Sequence, residues 1–301
     1  RRGKALAVGS NPDGGFLVPV DLARAITRRI FETSPMRGIS NVITTAREAV
    51  EVIIDDQEPA SSWAGEVDTV TETDTPQLGS LEIPTHEQRA EPRATTKILD
   101  DASINIEAWL QGKIARKFGR AENTAFVNGS GSKQPRGFLQ LDAWANEEVY
   151  ERGKLASIDT STDNDLDSAD DLIALQTLLL EEYQANATWV MHRQTWGNKI
   201  LTLKDAVDGQ YLINPQLIFQ GVNFQLLGRP VVLAGDMPTV ADGAKIIAYG
   251  DFREGYTIVD RVGIRVLRDP YTTKGFVKYY TTKRVGGDVT NYQAIKILAV
   301  Q

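Results

Sequence analysis

Apolar positions two apart mark the first distinctive stretch of the chain, residues 46–97. Val50, Val52 and Ile54 alternate with Glu51, Ile53 and Asp55, the period of a half-exposed strand. From Gln57 to Gly79 the sequence is rich in Thr, Asp, Glu and turn residues, with Trp63, Val67, Val70 and Leu78 as its sizeable apolar side chains. A second extended run starts at Leu81-Glu82-Ile83 and continues toward Ile98. Such a segment has little apolar surface to bury against itself. The pattern predicts a long two-stranded arm that needs another chain to lie on.

Ahead of it, residues 1–20 read as an extended arm, because Asn11-Pro12-Asp13-Gly14-Gly15 is turn chemistry and Pro19 blocks a helix start. A short amphipathic helix follows, capped by Asp21, with Leu22, Ile26 and Ile30 on one stripe and its end near Ser34-Pro35. The strongest helical period comes after residue 98. Ile106, Leu110, Ile114, Phe118, Ala121 and Ala125 share one stripe, Trp109 widens it, and Asn128-Gly129 ends it. Asp100, Asp101 or Ser103 is the expected cap. At about 1.5 Å per residue this helix exceeds roughly 30 Å, long enough to be a domain's spine.

Beyond residue 136 the pattern becomes compact and mixed. Ser168 and Asp171 open a helix carrying Leu172, Leu175 and Leu179. Trp189-Val190-Met191 reads as a buried strand and 194–204 as a short helix. Val231-Val232-Leu233 and Ile246-Ile247-Ala248 read as strands, followed by extended runs at Tyr256–Leu267, Phe276–Val285 and Tyr292–Val300.

Composition narrows the function classes. With 301 residues, 42% hydrophobic and 24% charged, the chain suits one large domain or two modest ones. No apolar run approaches the length of a membrane span. The absence of cysteine excludes disulfides, thiolate nucleophiles and Cys-ligated metals. A net charge of -7 with scattered basic residues argues against gripping a phosphate backbone. A weakly acidic wall lets packed DNA lie beside it without sticking. The chain does not begin with Met, so Arg1 is expected to be either a trimmed boundary or an end left by proteolysis.

Candidate chemistry is sparse. Gly129-Ser130-Gly131-Ser132-Lys133 has the wrong spacing for a phosphate loop and follows a helix where that motif needs a strand; it reads as a turn. Two of the acidic pairs Asp55-Asp56, Asp100-Asp101 and Asp170-Asp171 fall where helix caps are expected. His86 and His192 are far apart, no G-x-S-x-G elbow exists, and His192 after an apolar strand reads as a cap or packing residue. No catalytic, cofactor or metal residue is assigned.

Linked segments in a fixed order carry the stronger signal. They are Asp13-Gly14-Gly15-Phe16-Leu17-Val18-Pro19, Ser34-Pro35-Met36-Arg37, Leu99-Asp100-Asp101-Ala102, Phe126-Val127-Asn128-Gly129 and Gln134-Pro135-Arg136-Gly137-Phe138-Leu139. Further on stand Trp189-Val190-Met191-His192, Leu203-Lys204-Asp205, Gly209-Gln210-Tyr211-Leu212, Leu227-Gly228-Arg229-Pro230-Val231-Val232 and Asp236-Met237-Pro238. Tyr249-Gly250-Asp251-Phe252 and Ile264-Arg265-Val266-Leu267-Arg268-Asp269-Pro270 complete the series. In these the chain closely resembles the HK97-fold major capsid proteins of tailed bacteriophages and of gene-transfer agents (GTA), over nearly its whole length.

The resemblance implies an α+β HK97-like capsid fold. It divides the chain into an N-terminal arm (1–33), a connection (34–45) and an extended loop, or E-loop (46–97). A peripheral domain with a long spine helix takes 98–135 and 253–288, and a compact axial domain takes 136–252 and 289–301. It implies a homo-oligomer of hexameric and pentameric capsomers in an icosahedral shell enclosing double-stranded DNA, with portal and decoration proteins and a maturation protease as partners. Neither a membrane nor a cofactor is expected. The place is the virion capsid, assembled in the bacterial host cytoplasm. The family's Lys–Asn isopeptide crosslink is not expected: 46–96 contains no Lys, Tyr279 stands where the Asn would be, and the Glu position falls near Gly286. Expected contact residues are Trp63 on the loop, Arg47, Arg89 and Arg93 as the loop's basic residues, and Arg24, Arg28 and Arg29 as a neighbour's basic patch. Two alternatives stay open at this point: an encapsulin-type nanocompartment, and a carboxylate-based hydrolase using Asp100 or Asp101.

Overall fold

The computed structural model describes residues 35–55, 78–102, 105–144, 150–204, 211 and 224–301. The predicted N-terminal arm and its helix, and the loop segment around Trp63, lie outside these residues. In chain order the elements are α1 (Met36–Ile39), β1 (Asn41–Thr44), β2 (Ala49–Ile54), β3 (Gly79–Pro84), β4 (His86–Ala90) and β5 (Arg93–Thr95). Then come α2 (Thr96–Asp101), α3 (Ile106–Asn128), β6 (Ala156–Asp159), α4 (Ala169–Leu178), α5 (Glu181–Gln184), β7 (Thr188–Met191) and α6 (Arg193–Asn198). The chain closes with β8 (Gln225–Leu226), β9 (Arg229–Leu233), β10 (Lys245–Gly250), α7 (Phe252–Gly255), β11 (Tyr256–Asp269), β12 (Phe276–Val289) and β13 (Ile295–Ala299).

Two sheets organise these elements. The first is built on the long antiparallel hairpin of β11 and β12, with β1 running parallel to β11 and both β4 and β5 pairing with β12. The second has the order β6-β13-β10-β7-β9-β8 and mixes parallel and antiparallel pairs. Its strands β10 and β13 are buried along nearly their whole length, as the short apolar runs in the sequence require. Trp189 and Tyr249 stack in its core with ring centroids 4.1 Å apart, and the Trp189 Nε1–H donates to the Leu226 carbonyl at 3.0 Å. Strands β2 and β3 form a separate two-stranded ribbon. The second extended run divides: β3 belongs to this ribbon, whereas β4 and β5 join the first sheet.

The spine helix begins later than its cap candidates suggest. The Asn105 side chain accepts from the Ala108 N–H at 3.0 Å and starts α3, while Thr95 caps the separate short helix α2. Ala102, extended at ψ 137°, breaks the period between them. Asp100 and Asp101 therefore lie at the C-terminal end of α2, where the helix dipole disfavours acid, and cap nothing. The stripe of α3 is buried at Ile106, Leu110, Ile114, Phe118 and Ala125, Ala121 and Trp109 are half-buried, and the buried face also takes in Phe126, Val127 and Glu122, which is 2% exposed. At the far end Gly129 is required by close approach, because a Cβ there would sit 2.1 Å from the Pro135 carbonyl. Ser168 caps α4 through the Asp170 N–H, Asp171 instead accepts from the Ser161 N–H, and His192 Nδ1 caps α6.

Candidate assembly surfaces

The segment leading into the ribbon is fastened by a quartet of charges gathered around the buried Glu122. Arg37 donates to Glu122 Oε2 at 2.8 and 3.1 Å and to both oxygens of Asp260 at 2.7 and 2.8 Å. Lys283 Nζ lies 2.5 Å from Glu122 Oε1 and 4.0 Å from Asp260. Two cations thus face two anions, joining α1, α3, β11 and β12. Burial alone would push the Asp260 carboxyl up; hydrogen bonding and charge from Arg37, with the charge of Lys283, outweigh it and hold the group below the usual carboxylate range. The Arg37 guanidinium also sits 5.6 Å from the Phe126 ring centroid. The contact residues expected from sequence do not include this quartet. Its signal was a Glu on the apolar stripe of α3, four residues from Phe118 and four from Phe126.

From this base the ribbon leaves the body. Thr85 closes its root by donating N–H and O–H to the Glu48 carbonyl at 2.9 and 2.7 Å. One face of the ribbon turns inward, with Ile54 and Ile83 buried. The other face is open: Ile53 is 69% exposed, and Glu51 lies directly across from Glu82. At the root, Arg261 pairs with Glu48 at 3.1 Å, and Arg284 reaches Glu87 at 3.3 Å and Glu48 at 3.7 Å. Arg261, Arg284 and Glu87 border an open groove of about 790 Å³, lined also by Thr44, Thr45, Gly263, Arg265 and Thr282. Past the groove β11 carries exposed apolar residues Ile264, Val266 and Leu267, and the hairpin ends at Tyr271, 89% exposed.

A sequence profile of the phage capsid family matches residues 14–300. The chain belongs to the phage capsid family. The same architecture recurs in the capsid of a native GTA particle, at 38% identity and a TM-score of 0.87 over 98% of each chain. The capsid of the empty GTA particle matches with the same values. More distant likenesses, which speak for the fold, include Microbacterium phage Oxtober96, at 14% identity and a TM-score of 0.69 over 97% of this chain and 99% of that one. The capsid of Myoviridae phage XM1 matches at 15% identity and 0.65, over 94% and 97%. No relative among curated protein sequences matches the chain. The fold is the HK97-like capsid fold, and the protein is a capsid subunit, a structural component that oligomerises into a shell.

The contact residues expected from sequence fall in different places on this capsid subunit. Trp63, Arg24, Arg28 and Arg29 lie outside the described residues. Arg47 and Arg89 are exposed, the first in the turn ahead of β2 and the second on β4, facing Thr282 across the sheet. Arg93 is spent locally, its guanidinium 5.2 Å from the Phe276 ring centroid. Among the described residues no group of three His, Cys, Asp or Glu is placed to hold a metal. Within the described residues no helix is long and apolar enough to cross a membrane.

Proposed function

We propose that this capsid subunit builds hexamers and pentamers of an icosahedral shell around double-stranded DNA, held together without covalent crosslinks. The single observation that carries the reading is the 38% identity to a GTA particle capsid over 98% of both chains. The ribbon β2–β3 supports it physically, since among the described residues its outer face leaves Ile53 exposed, as a face that meets a neighbouring subunit would be. Shell contacts of this kind are heterologous, one surface patch meeting a different one on the next copy, which closes rings when the rotation allows.

In this reading residues 1–33 and the E-loop lie over neighbouring subunits, with Trp63 as an apolar contact and Arg24, Arg28 and Arg29 receiving acidic loop residues. A maturation protease, a portal and decoration proteins complete the particle, which assembles in the host cytoplasm. The DNA is enclosed without sequence-specific contacts, in keeping with the net charge of -7. Electron microscopy of the native high-molecular-weight fraction tests the proposal. Closed icosahedral particles containing nuclease-protected DNA are expected; a small soluble species with no particles at any stage would overturn it.

A further inference from the structure

The net charge of -7 hides a local surplus of the opposite sign. Between residues 108 and 121 the chain has four bases, Lys113, Arg116, Lys117 and Arg120, and no acid. All four lie on α3 at i, i+3, i+4 and i+7, the spacing that gathers side chains along one stripe of a helix. The two acids of α3 are elsewhere: Glu107 stands in its first turn, and Glu122 is buried against Arg37 and Lys283. Lys113 with Lys117, and Arg116 with Arg120, are like charges one turn apart, which repel. Arg116 and Lys117 are exposed, and their side chains have no ion pair or hydrogen-bond partner among the described residues.

The surface beside these bases is bare. Gly112 and Gly119 are seven residues apart, on one side of α3 with Arg116 between them, and a Cβ at either would meet nothing within 4 Å. Glycine inside a helix costs stability relative to alanine, and no close neighbour within the subunit requires it at these two positions. None of the large apolar side chains exposed among the described residues belongs to α3; around the first sheet they are Val42, Ile264, Val266 and Leu267. A contact with protein draws on apolar and aromatic anchors. A polyanion needs cations and room to approach, which is what this side of the helix offers.

We infer that the basic stripe of α3 faces the packaged double-stranded DNA and contacts its phosphate backbone through Lys113, Arg116, Lys117 and Arg120. This deepens the reading given under Proposed function and rests on it. Phosphate contacts carry no sequence information, so the enclosure stays indifferent to what is packaged. A subunit that is acidic overall and basic along one stripe holds DNA at a line and repels it elsewhere, which keeps the grip of each copy light.

Lysine acylation in assembled particles tests the inference. DNA-filled particles, and the same particles emptied of DNA, are treated with a small amine-acylating reagent, and modification is read at each lysine by peptide mass spectrometry. Lys113 and Lys117 are expected to react several-fold less in the filled particles. Equal modification in the two would overturn the inference, whether the lysines are open in both or covered in both by protein. Arg116→Gln combined with Lys117→Gln gives a second reading. Both positions are exposed, so subunit thermal unfolding should not fall, and shells should form in wild-type yield but release DNA several-fold faster on warming. Release at the wild-type rate would overturn the contact, and so would loss of shells from a subunit that still folds, which would make the stripe a contact between proteins. Wild-type particles that hold no DNA at all would instead overturn the reading under Proposed function, so the two failures are distinguishable.

Discussion

At the scale of single residues, Glu122 decides more than any other described side chain. It is 2% exposed, it sits on the helical stripe that packs against the sheet built on β11 and β12, and it faces two cations at once. Its cost of burial is met because Arg37 supplies charge and hydrogen bonds and Lys283 supplies a second positive charge. Removing it is therefore worse than never having had it. Glu122→Ala leaves Arg37 and Lys283 sharing Asp260 alone, and is expected to destabilise the subunit by about 3 kcal/mol or more, read as a lower Tm. The same quartet sets an acid limit. Asp260 has a folded pKa below its unfolded one, so its contribution is complete above the ordinary carboxylate range and is lost as pH falls through the folded value. Asp260→Asn should flatten the acid limb of the stability–pH curve and lower the plateau above it.

At the scale of elements, the ribbon's root is positioned by a residue that has no side chain. Gly286 of β12 passes so close to the ribbon that a Cβ would lie 2.4 Å from the Pro84 carbonyl. Its backbone dihedrals are ordinary, so the constraint is contact and not conformation. Gly286→Ala must push β3 away from β12, at an expected cost of about 1–3 kcal/mol in thermal unfolding, even though only one methyl is added. Most elements were legible in the sequence because period and apolar content decide them locally: the α3 stripe, the ribbon alternation at Val50–Ile54 and the buried strand at Trp189–Met191 all stand where they were read. What was not legible depends on partners distant in sequence. The helix start moved from Asp100, Asp101 or Ser103 to Asn105 because a second short helix, capped by Thr95, takes up residues 96–101. The place of Arg93 beside the Phe276 ring depends in the same way on a strand distant in sequence.

At the scale of the whole molecule, the proposed shell has to cohere without the isopeptide bond that the resemblance would otherwise imply. Residues 46–96 contain no lysine to act as the amine donor. Tyr279, where the resemblance would put the acceptor asparagine, is fully buried against α3 in a small core with Val277, Ile106 and Leu110, and presents nothing to a neighbour. Gly286, near the position for the assisting carboxylate, has no room for one beside Pro84. All three parts of the crosslinking chemistry are thus replaced, two of them by residues that packing now requires. Shell cohesion is then a sum of many weak, repeated contacts, each worth little alone and screened by salt where it is ionic. Boiled in SDS, fully assembled particles are expected to run as a single band at the subunit mass. A ladder of covalent multimers that persists after boiling would show that another lysine has found an acceptor, and would return cohesion to chemistry instead of surface complementarity.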